Sequence, residues 1–435
     1  MSRKKYKILF FMIPLYGHIT PNLSMIRTLI DQGYEVYCVG APKHFQMLEE
    51  CGATCITYHP MILNSFEMKM NKAQVKQRES VKSHFMALFT RDNLEWNITN
   101  GKELYGLACN TLEPYMKEIA PDIILYDSTA VWGLLLGRKY HLPCIDMEAA
   151  TDMDEVTSIY EKFYEEVVLK EIKVDMEYGD YHLGPEEEII STKEYIEYSQ
   201  AVTRKLNKKA NKLAGLHGDK LLKPDMKFAY VTKDFYEAYT SELENIQFCG
   251  FDYKIPPIAE KKDGIFVTQG TVTDPYSMRL LVHISKVLIS SGEKVTITTG
   301  GDFYYEDIKE KLGKLPEKMN LSSFVNQLEV LGSHKLMISH GGLSGIREAI
   351  LNETPMLVYP INYHCFQSAL AIEKLGIGVW LKDRQLSQGN TEELLNAVQE
   401  VLSNPNYIGR IREVKKEFLE EYKKNKVLEY LDSLS

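Results

Sequence analysis

The sequence lacks a long hydrophobic run, which argues against a helix that spans a membrane. No stretch of about 18 consecutive apolar residues occurs in the 435-residue chain. The apolar run at residues 8–13 is short, Pro14 and Gly17 follow it, and no small-residue cleavage site comes next. We therefore predict a buried first strand there instead of a signal peptide, and no membrane span.

Paired cysteine motifs are also missing. The chain has seven cysteines, an odd number, and neither a second Cys pair nor a neighbouring His completes a zinc pattern around Cys51 and Cys55. The others are scattered along the chain. We expect reduced thiols, no bound metal and a cytoplasmic location.

The chain has fewer basic than acidic residues. Lys and Arg number 51 against 60 Asp and Glu, so the formal net charge is −9. This balance argues against nucleic acid or an anionic membrane as the main partner. With 44% hydrophobic and 26% charged residues the composition is globular, and 435 residues are too many for one ordinary core. We expect two domains.

Short apolar runs alternate with amphipathic helical stretches in both halves of the chain. This alternation predicts two doubly wound Rossmann-like α/β domains that face each other across a cleft. The base-rich run 203–227 is predicted to be helical. The predicted units are an N-terminal domain at 1–247, a Pro-containing linker at 248–262, a C-terminal domain at 263–404 and one charged C-terminal helix at 405–435.

The most informative stretch is a strand-to-helix turn in the second half of the chain. The apolar run Leu336–Ser339 predicts a strand, H-G-G follows at residues 340–342, and Ser344 is a candidate N-cap of the next helix. Two glycines let a ligand approach backbone N–H groups, and the positive end of the helix attracts an anion. Glu348 lies about two turns further on, where a carboxylate repels phosphate but accepts hydrogen bonds from sugar hydroxyls. We predict a site for a phosphate with a ribose beside it.

A second candidate site lies at the strand ends of the first domain. His18 follows the first strand at the start of a helix, whose positive end keeps an imidazole neutral and able to accept a proton. Asp127 ends the apolar run 122–127, and the carboxyl ends of parallel strands meet at one edge of a sheet. A carboxylate on the far imidazole nitrogen fixes the tautomer, which suits deprotonation of an acceptor hydroxyl. Each residue alone is more often structural, as a His in a turn or an Asp that caps a helix.

The order of these motifs resembles the donor-binding signature of one glycosyltransferase superfamily. H-G-G, a Glu eight residues after the His, a strand that ends in Pro360 and a polar pair four residues later occur at the family's spacing. The superfamily contains the UDP-glucuronosyltransferases, the plant secondary-metabolite glycosyltransferases and the bacterial macrolide glycosyltransferases. G-H-I-T-P at residues 17–21 matches its G-H-x-x-P turn. The resemblance implies the GT-B fold, with His18 as the catalytic base and Asp127 as the residue that orients it.

The resemblance also implies a set of donor-binding residues. G-T after the first strand of the second domain stands at residues 270–271, and the aromatic element that stacks on and brackets the base stands at residues 324–327. The phosphate loop and the ribose carboxylate correspond to the turn and helix described above, and the sugar contacts to the polar pair. The implied residues are Thr271, Phe324, Val325, Gln327, His340, Gly342, Ser344, Gly345, Glu348, His364 and Cys365.

The chain departs from the family at several of these positions. Asn326 replaces the usual Pro, a Phe replaces the Trp of plant members, and Gly345 lacks the hydroxyl that the family more often has there. The family's sugar-binding Asp-Gln pair is His364 and Cys365, and its nearby Asn is Ser368. An imidazole and a thiol bond sugar hydroxyls less well than a carboxylate and an amide. We therefore predict that a deoxy-, amino- or otherwise modified sugar is preferred to glucose, although neighbouring side chains that supply the missing bonds would restore glucose as a donor.

The resemblance implies an inverting, metal-independent glycosyltransferase without a cofactor. Its donor would be a UDP- or dTDP-sugar and its acceptor a hydroxyl of a small apolar molecule such as a polyketide or other natural product. D-x-D at residues 152–154 matches a metal motif of another glycosyltransferase fold, but no apolar strand precedes it, so we attribute the match to chance. A sugar-nucleotide epimerase on the same fold and a non-catalytic nucleotide-sugar-binding partner subunit stay open as alternatives. A dehydrogenase is disfavoured because no G-x-G-x-x-G follows a strand.

Overall fold

Two parallel β-sheets, one from each half of the chain, organise the structure. The computed structural model describes residues 5–66, 91–148, 162–163, 165, 192–218, 222–240, 243–252, 254–270, 275–381 and 391–434. Both sheets are doubly wound, so the predicted fold class is confirmed. The predicted domain boundaries stay a prediction.

The first sheet has seven parallel strands in the order β3-β2-β1-β4-β5-β6-β7. The chain moves outward in one direction from β1 and in the other from β4. The carboxyl ends of these two strands therefore form the switch point at which doubly wound sheets bind ligands. The strands are β1 Lys7–Phe11, β2 Glu35–Gly40, β3 Thr54–Thr57, β4 Ile123–Tyr126, β5 Cys144–Glu148, β6 Met226–Ala229 and β7 Ile246–Phe248.

The second sheet has six parallel strands in the order β10-β9-β8-β11-β12-β13. Its switch point lies between β8 and β11, which pair from Leu336 with Ile265 to Ser339 with Thr268. The strands are β8 Ile265–Thr268, β9 Val295–Thr298, β10 Met319–Ser322, β11 Leu336–Ser339, β12 Met356–Val358 and β13 Gly378–Trp380.

Helices connect most successive strands of both sheets. None of the described helices is both long and apolar enough to cross a bilayer. The described α-helices are Tyr16–Ile19, Leu23–Asp31, Phe45–Glu49, Pro60–Phe66, Arg91–Ile119, Trp132–Lys139, Thr192–Leu213, Lys233–Tyr236, Pro275–Ser291, Tyr305–Leu312, Gln327–Ser333, Leu343–Leu351, Tyr363–Leu375, Thr391–Ser403, Asn406–Lys423 and Lys426–Ser433.

Side-chain alternation along β1 divides the apolar interior into two cores. Ile8 and Phe10 point into a core that also contains the buried residues of the second sheet, whereas Leu9 and Phe11 point into a core on the opposite face. Successive residues of a strand face opposite sides, so one short apolar run serves both cores. The two halves of the chain therefore share a continuous hydrophobic interior.

The C-terminal segment differs from the single helix predicted for residues 405–435. It forms two helices, because Asn425 adopts a left-handed conformation with φ of 51° between Lys424 and the second helix. The segment packs on the first half of the chain. Phe418 lies edge-on to Phe235 at 6.2 Å between ring centroids, and Tyr430 lies edge-on to Phe228 at 5.8 Å.

The helix predicted for residues 203–227 is only partly correct. The helix ends at Leu213, and β6 begins at Met226. The sequence hid this strand because Lys227 is buried in it, 4.0 Å from an oxygen of Asp146 and 3.9 Å from one of Glu148. A charged residue can be buried in a core strand when its charge is paired, and it then interrupts the apolar pattern by which the strand would be recognised.

Candidate active site

His18 and Asp127 meet at the switch point of the first sheet. His18 lies in the short helix Tyr16–Ile19 after β1, and Asp127 is the residue that follows β4. His18 Nδ1 is 2.8 Å from Asp127 Oδ2. The N–H of Asp127 donates to the carbonyl of Phe11 at 2.9 Å, which continues the pairing of β1 with β4 to the edge of the sheet. The two side chains that the sequence predicted as a pair are in hydrogen-bond contact.

The surroundings of Asp127 determine which nitrogen of His18 carries the proton. Asp127 is 1% exposed, and its Oδ1 accepts from the N–H of Thr129 at 2.9 Å and from the Thr129 hydroxyl. A carboxylate only accepts hydrogen bonds, so Nδ1 of His18 holds a proton, and Nε2 is the nitrogen with the lone pair in the neutral ring. The His18 side chain is 17% exposed. This arrangement leaves Nε2 suited to accept a proton.

His340 is enclosed between two glycine backbones at the switch point of the second sheet. It follows β11, and Gly270 lies just beyond the end of the neighbouring strand β8. A Cβ on Gly270 would lie 2.6 Å from His340 Cε1, and a Cβ on Gly342 would lie 2.7 Å from its Nε2. Gly270 also has a φ of 70°, in the region that favours glycine. Both positions need glycine if the imidazole is to lie between them.

The same enclosure keeps the His340 imidazole neutral. Burial lowers the pKa of His340 to about 4. Its Nδ1 is buried and has no hydrogen-bond partner among the described residues. A buried ring nitrogen without a partner is uncommon, and a bound polar ligand would satisfy it.

The helix Leu343–Leu351, hereafter the cleft helix, begins directly after this turn. Its N-cap is Gly342 in an extended conformation, and no side chain caps the first N–H groups. The predicted N-cap at Ser344 is therefore wrong, because residue 344 already lies in the first turn. The Ser344 hydroxyl instead donates to the carbonyl of Gly17 at 3.0 Å, one residue before His18.

Glu348 lies further along the cleft helix and is nearly buried. Gln327 donates from Nε2 to Glu348 Oε2 at 2.7 Å. A Cβ on Gly345 would lie 3.1 Å from the same Nε2, so glycine at this position leaves room for the hydrogen bond. Burial raises the pKa of Glu348 to about 7, although the Gln327 hydrogen bond and the charge of Arg347 oppose the rise. This carboxyl group therefore changes protonation near neutral pH.

The predicted base-stacking residues lie in the loop before the helix Gln327–Ser333. Phe324 is 63% exposed, whereas Val325 is half-buried and packs against the core. Asn326, which stands at the family's Pro position, donates from Nδ2 to Glu329 Oε1 at 2.9 Å. An exposed ring on this loop offers a flat apolar face to a planar ligand.

The predicted sugar-contact residues lie in the first turn of the helix Tyr363–Leu375. Asn362 caps this helix, and its side chain accepts from the N–H of Cys365 at 2.9 Å. His364 is half-buried, but Cys365 is buried against the backbone of Gly341, and burial raises the pKa of its thiol to about 12. Thr271 and the D-x-D motif at residues 152–154 lie outside the described residues.

Three further residues beside His18 escaped the sequence analysis. Arg347 on the cleft helix is 1% exposed and donates from Nε to the carbonyl of Tyr230 at 2.8 Å. The Tyr230 hydroxyl donates to Asn22 Oδ1 at 2.7 Å, and Asn22 Nδ2 donates to the carbonyl of His18 at 2.8 Å. One signal was present in the sequence, since Arg347 and Glu348 are the charged residues of an otherwise mostly apolar helix, and charged residues are rarely buried without partners.

Metal-ligating side chains do not cluster in the part of the chain that the structure describes. No group of three or more His, Cys, Asp or Glu residues there is placed to hold a metal ion. All seven cysteines belong to the described residues and are free thiols.

Comparisons with known proteins show which proteins this chain resembles in sequence and in fold. The glycosyltransferase family 28 C-terminal domain matches residues 264–427. The NDP-glycosyltransferase YjiC of Bacillus subtilis (strain 168) is 23% identical, over 96% of this chain and 94% of that protein. The demethyllactenocin mycarosyltransferase of Streptomyces fradiae is 23% identical, over 91% of this chain and 79% of its own.

Solved structures agree on the fold. The spinosyn rhamnosyltransferase SpnG complexed with spinosyn aglycone superposes with a TM-score of 0.66 at 14% identity, over 98% of this chain and 100% of that one. The chain is therefore a glycosyltransferase with the GT-B fold, and it is similar to members of the superfamily that contains the UDP-glucuronosyltransferases, the plant secondary-metabolite glycosyltransferases and the bacterial macrolide glycosyltransferases.

Proposed function

We propose that this enzyme is an inverting, metal-independent glycosyltransferase that moves a sugar from a UDP- or dTDP-sugar to a hydroxyl of a small apolar acceptor. The observation that carries the proposal is the His18–Asp127 pair, whose Nδ1 to Oδ2 distance is 2.8 Å. The residue before His18, Gly17, accepts a hydrogen bond from Ser344 of the cleft helix. The proposed base and a helix terminus that suits a diphosphate are therefore neighbours in this proposal.

His18 supplies the base in this proposal. Its Nε2 removes the proton of the acceptor hydroxyl as the oxygen attacks the anomeric carbon from the face opposite the nucleotide. Asp127 accepts a hydrogen bond from the Nδ1–H group of His18 throughout the reaction and stabilises the imidazolium that forms. Attack from that face inverts the configuration at the anomeric carbon.

The cleft helix receives the leaving diphosphate in this proposal. Its uncapped first N–H groups and its dipole favour negative charge, and the neutral His340 has a nitrogen that lacks a partner among the described residues. Such preorganised donors stabilise charge that develops in the transition state without a metal ion. Glu348, oriented by Gln327, accepts hydrogen bonds from the ribose, and Phe324 stacks on the base.

The proposed substrate classes draw on the relatives and on the sugar-contact positions. One relative is named as a mycarosyltransferase and one superposed structure as a rhamnosyltransferase with a spinosyn aglycone. Both names fit a natural-product acceptor and a modified sugar. His364 and the buried Cys365 offer glucose hydroxyls few strong partners, in agreement with that assignment.

Substitution of His18 tests the proposal. The turnover of His18→Ala, with umbelliferone as the phenolic acceptor and a panel of UDP- and dTDP-sugars as donors, should fall by roughly 10²–10⁴-fold. Binding of UDP, measured by thermal shift, should be unchanged, because His18 lies outside the nucleotide site. His59→Ala, an exposed histidine of the same domain, is the matched control. Wild-type turnover by His18→Ala, or an epimerised donor as the product, would contradict the proposal.

A further inference from the structure

The turn that carries His18 is held from the other half of the chain. Residues 16–22, hereafter the His18 turn, receive two contacts that originate on the cleft helix. The first is direct, from the Ser344 hydroxyl to the carbonyl of Gly17 at 3.0 Å. This hydroxyl stands where the family pattern predicts a phosphate ligand, but its hydrogen bond here ends one residue before the proposed base.

The second contact is a chain of three hydrogen bonds. Arg347 Nε donates to the carbonyl of Tyr230 at 2.8 Å, and the Tyr230 hydroxyl donates to Asn22 Oδ1 at 2.7 Å. Asn22 Nδ2 then donates to the carbonyl of His18 at 2.8 Å. Tyr230 accepts the first bond at its backbone carbonyl and makes the second with its hydroxyl, so the three bonds connect the cleft helix to the backbone of His18 through the body of this residue.

Arg347 is buried, so loss of its hydrogen bond to Tyr230 would be unfavourable. The guanidinium lies 5.8 Å from the Tyr230 ring centroid and 5.5 Å from that of Phe251. Burial lowers the pKa of Arg347 to about 10, and the nearby carboxyl of Glu148 opposes that fall. A buried cation that loses a partner is strongly destabilising, so the hydrogen bond from the guanidinium to the Tyr230 carbonyl favours the docked arrangement of the two halves of the chain. Arg347 is also the residue directly before Glu348.

We propose that Arg347, Tyr230 and Asn22 are positioning residues that fix the His18 backbone, so that docking of the cleft helix sets the geometry of the base. The inference rests on the proposed function of His18. It adds that a rigid element of the nucleotide-binding half determines where the base of the acceptor-binding half stands. Small displacements of a catalytic group lower the rate of the chemical step and leave ground-state binding alone.

The sharpest variant is Tyr230→Phe, which removes one hydroxyl and keeps the ring beside Arg347. We expect kcat with umbelliferone to fall about fivefold, the worth of one buried hydrogen bond, while KM for the donor and UDP binding stay unchanged. Tyr140→Phe is the matched control, because this half-buried hydroxyl donates to Glu113 at 3.0 Å, in a helix that contains neither His18 nor Arg347. Equal losses of kcat in the two variants would overturn the inference.

A double-mutant cycle separates positioning from a general structural effect. Asn22→Ala breaks the last hydrogen bond, so Tyr230→Phe should cost nothing further in kcat when it is introduced into Asn22→Ala. A second full loss of about fivefold would mean that Tyr230 acts by another route, and the inference would fail. If Asn22→Ala does not fold, Asn22→Asp replaces it, since the carboxylate accepts from Tyr230 but cannot donate to His18.

The two proposals can fail separately. Full activity of His18→Ala would refute the assignment of His18 as the base, and the positioning role would fail with it. An inactive His18→Ala combined with an unimpaired Tyr230→Phe leaves the base intact and refutes the positioning role alone.

Discussion

The pKa of Glu348 leads to a prediction about how donor affinity depends on pH. In the proposed site the ribose hydroxyls donate hydrogen bonds to this carboxyl group, so the donor binds the ionised form. Burial raises the pKa of Glu348 to about 7, although Gln327 donates to it at 2.7 Å. Below that pH the group must lose a proton before it can accept both ribose hydrogen bonds, and affinity should fall.

The size of the effect follows from the titration. With a pKa of about 7, roughly one tenth of Glu348 is ionised near pH 6 and roughly nine tenths near pH 8. The Kd for UDP should therefore rise about tenfold on going from about pH 8 to about pH 6. The same upward shift has a stability consequence of the opposite sign. The protonated form fits the buried site, so stability without ligand is fully present below the unfolded pKa of about 4.5 and declines as the pH rises through about 7.

Calorimetric titration of UDP between these pH values, with Glu348→Gln as the control, measures this dependence. Glutamine keeps the size of the side chain and does not titrate. The second ionisation of the UDP phosphate, which lies near pH 6, affects the titrations of both proteins equally, so the comparison with Glu348→Gln removes its contribution. We expect the wild type to lose about tenfold more affinity than Glu348→Gln over this range. Identical pH dependence in the two proteins would refute a role for the carboxylate in ribose binding.

Three further predictions concern the metal, the sugar and the docking of the C-terminal helices. Turnover should survive excess EDTA, and activity lost on chelation but restored by magnesium or manganese would contradict a helix-based leaving-group site. In steady-state kcat/KM measurements a deoxy- or aminosugar donor should exceed UDP-glucose, and His364→Asp with Cys365→Gln should raise activity with UDP-glucose. The argument fails if UDP-glucose is already the best donor and the double variant does not improve it. Gly250→Ala should lower the free energy of unfolding in urea by roughly 2 kcal/mol, because the residue has a φ of 58° and a Cβ would contact the carbonyl of Phe418. Gly409→Ala, where a Cβ meets nothing within 4 Å, is its control, and equal stability of the two variants would contradict the reasoning.

The sequence predicted the parts of the fold that depend on local pattern. Strands β1, β4, β8 and β11 are short apolar runs followed by turns, and these four strands form both switch points. The strands that escaped prediction, β6, β7 and β13, lie toward the outer ends of the sheets. They are short or contain polar residues, and their place in a sheet depends on partners far away in sequence. Lys227 in β6 is an example, since the carboxyl groups of Asp146 and Glu148 in β5 pair with its buried charge.

The site was predictable to the same extent. The carboxyl ends of parallel strands lie at one edge of a sheet, so the contact between His18 and Asp127 could be predicted from the two apolar segments that precede them. The hydrogen bond from Ser344 to Gly17 spans 327 residues and joins the two halves of the chain. No local preference encodes such a contact. The N-cap predicted at Ser344 was wrong because the local rule assigned to helix initiation a hydroxyl that the structure uses to dock one domain on the other.

The cleft helix shows how one element can serve both halves of the enzyme. Adjacent residues on a helix point about 100° apart, so Arg347 and Glu348 cannot face the same partner. Glu348 faces Gln327 within its own half, whereas Arg347 faces Tyr230 in the other half. Ser344 stands three residues before Arg347, which places the two docking contacts on one side of the helix. Because the helix is rigid, the group proposed to hold the ribose and the groups proposed to position the base cannot move independently. In these two proposals a correctly seated cleft helix therefore sets both the donor site and the base.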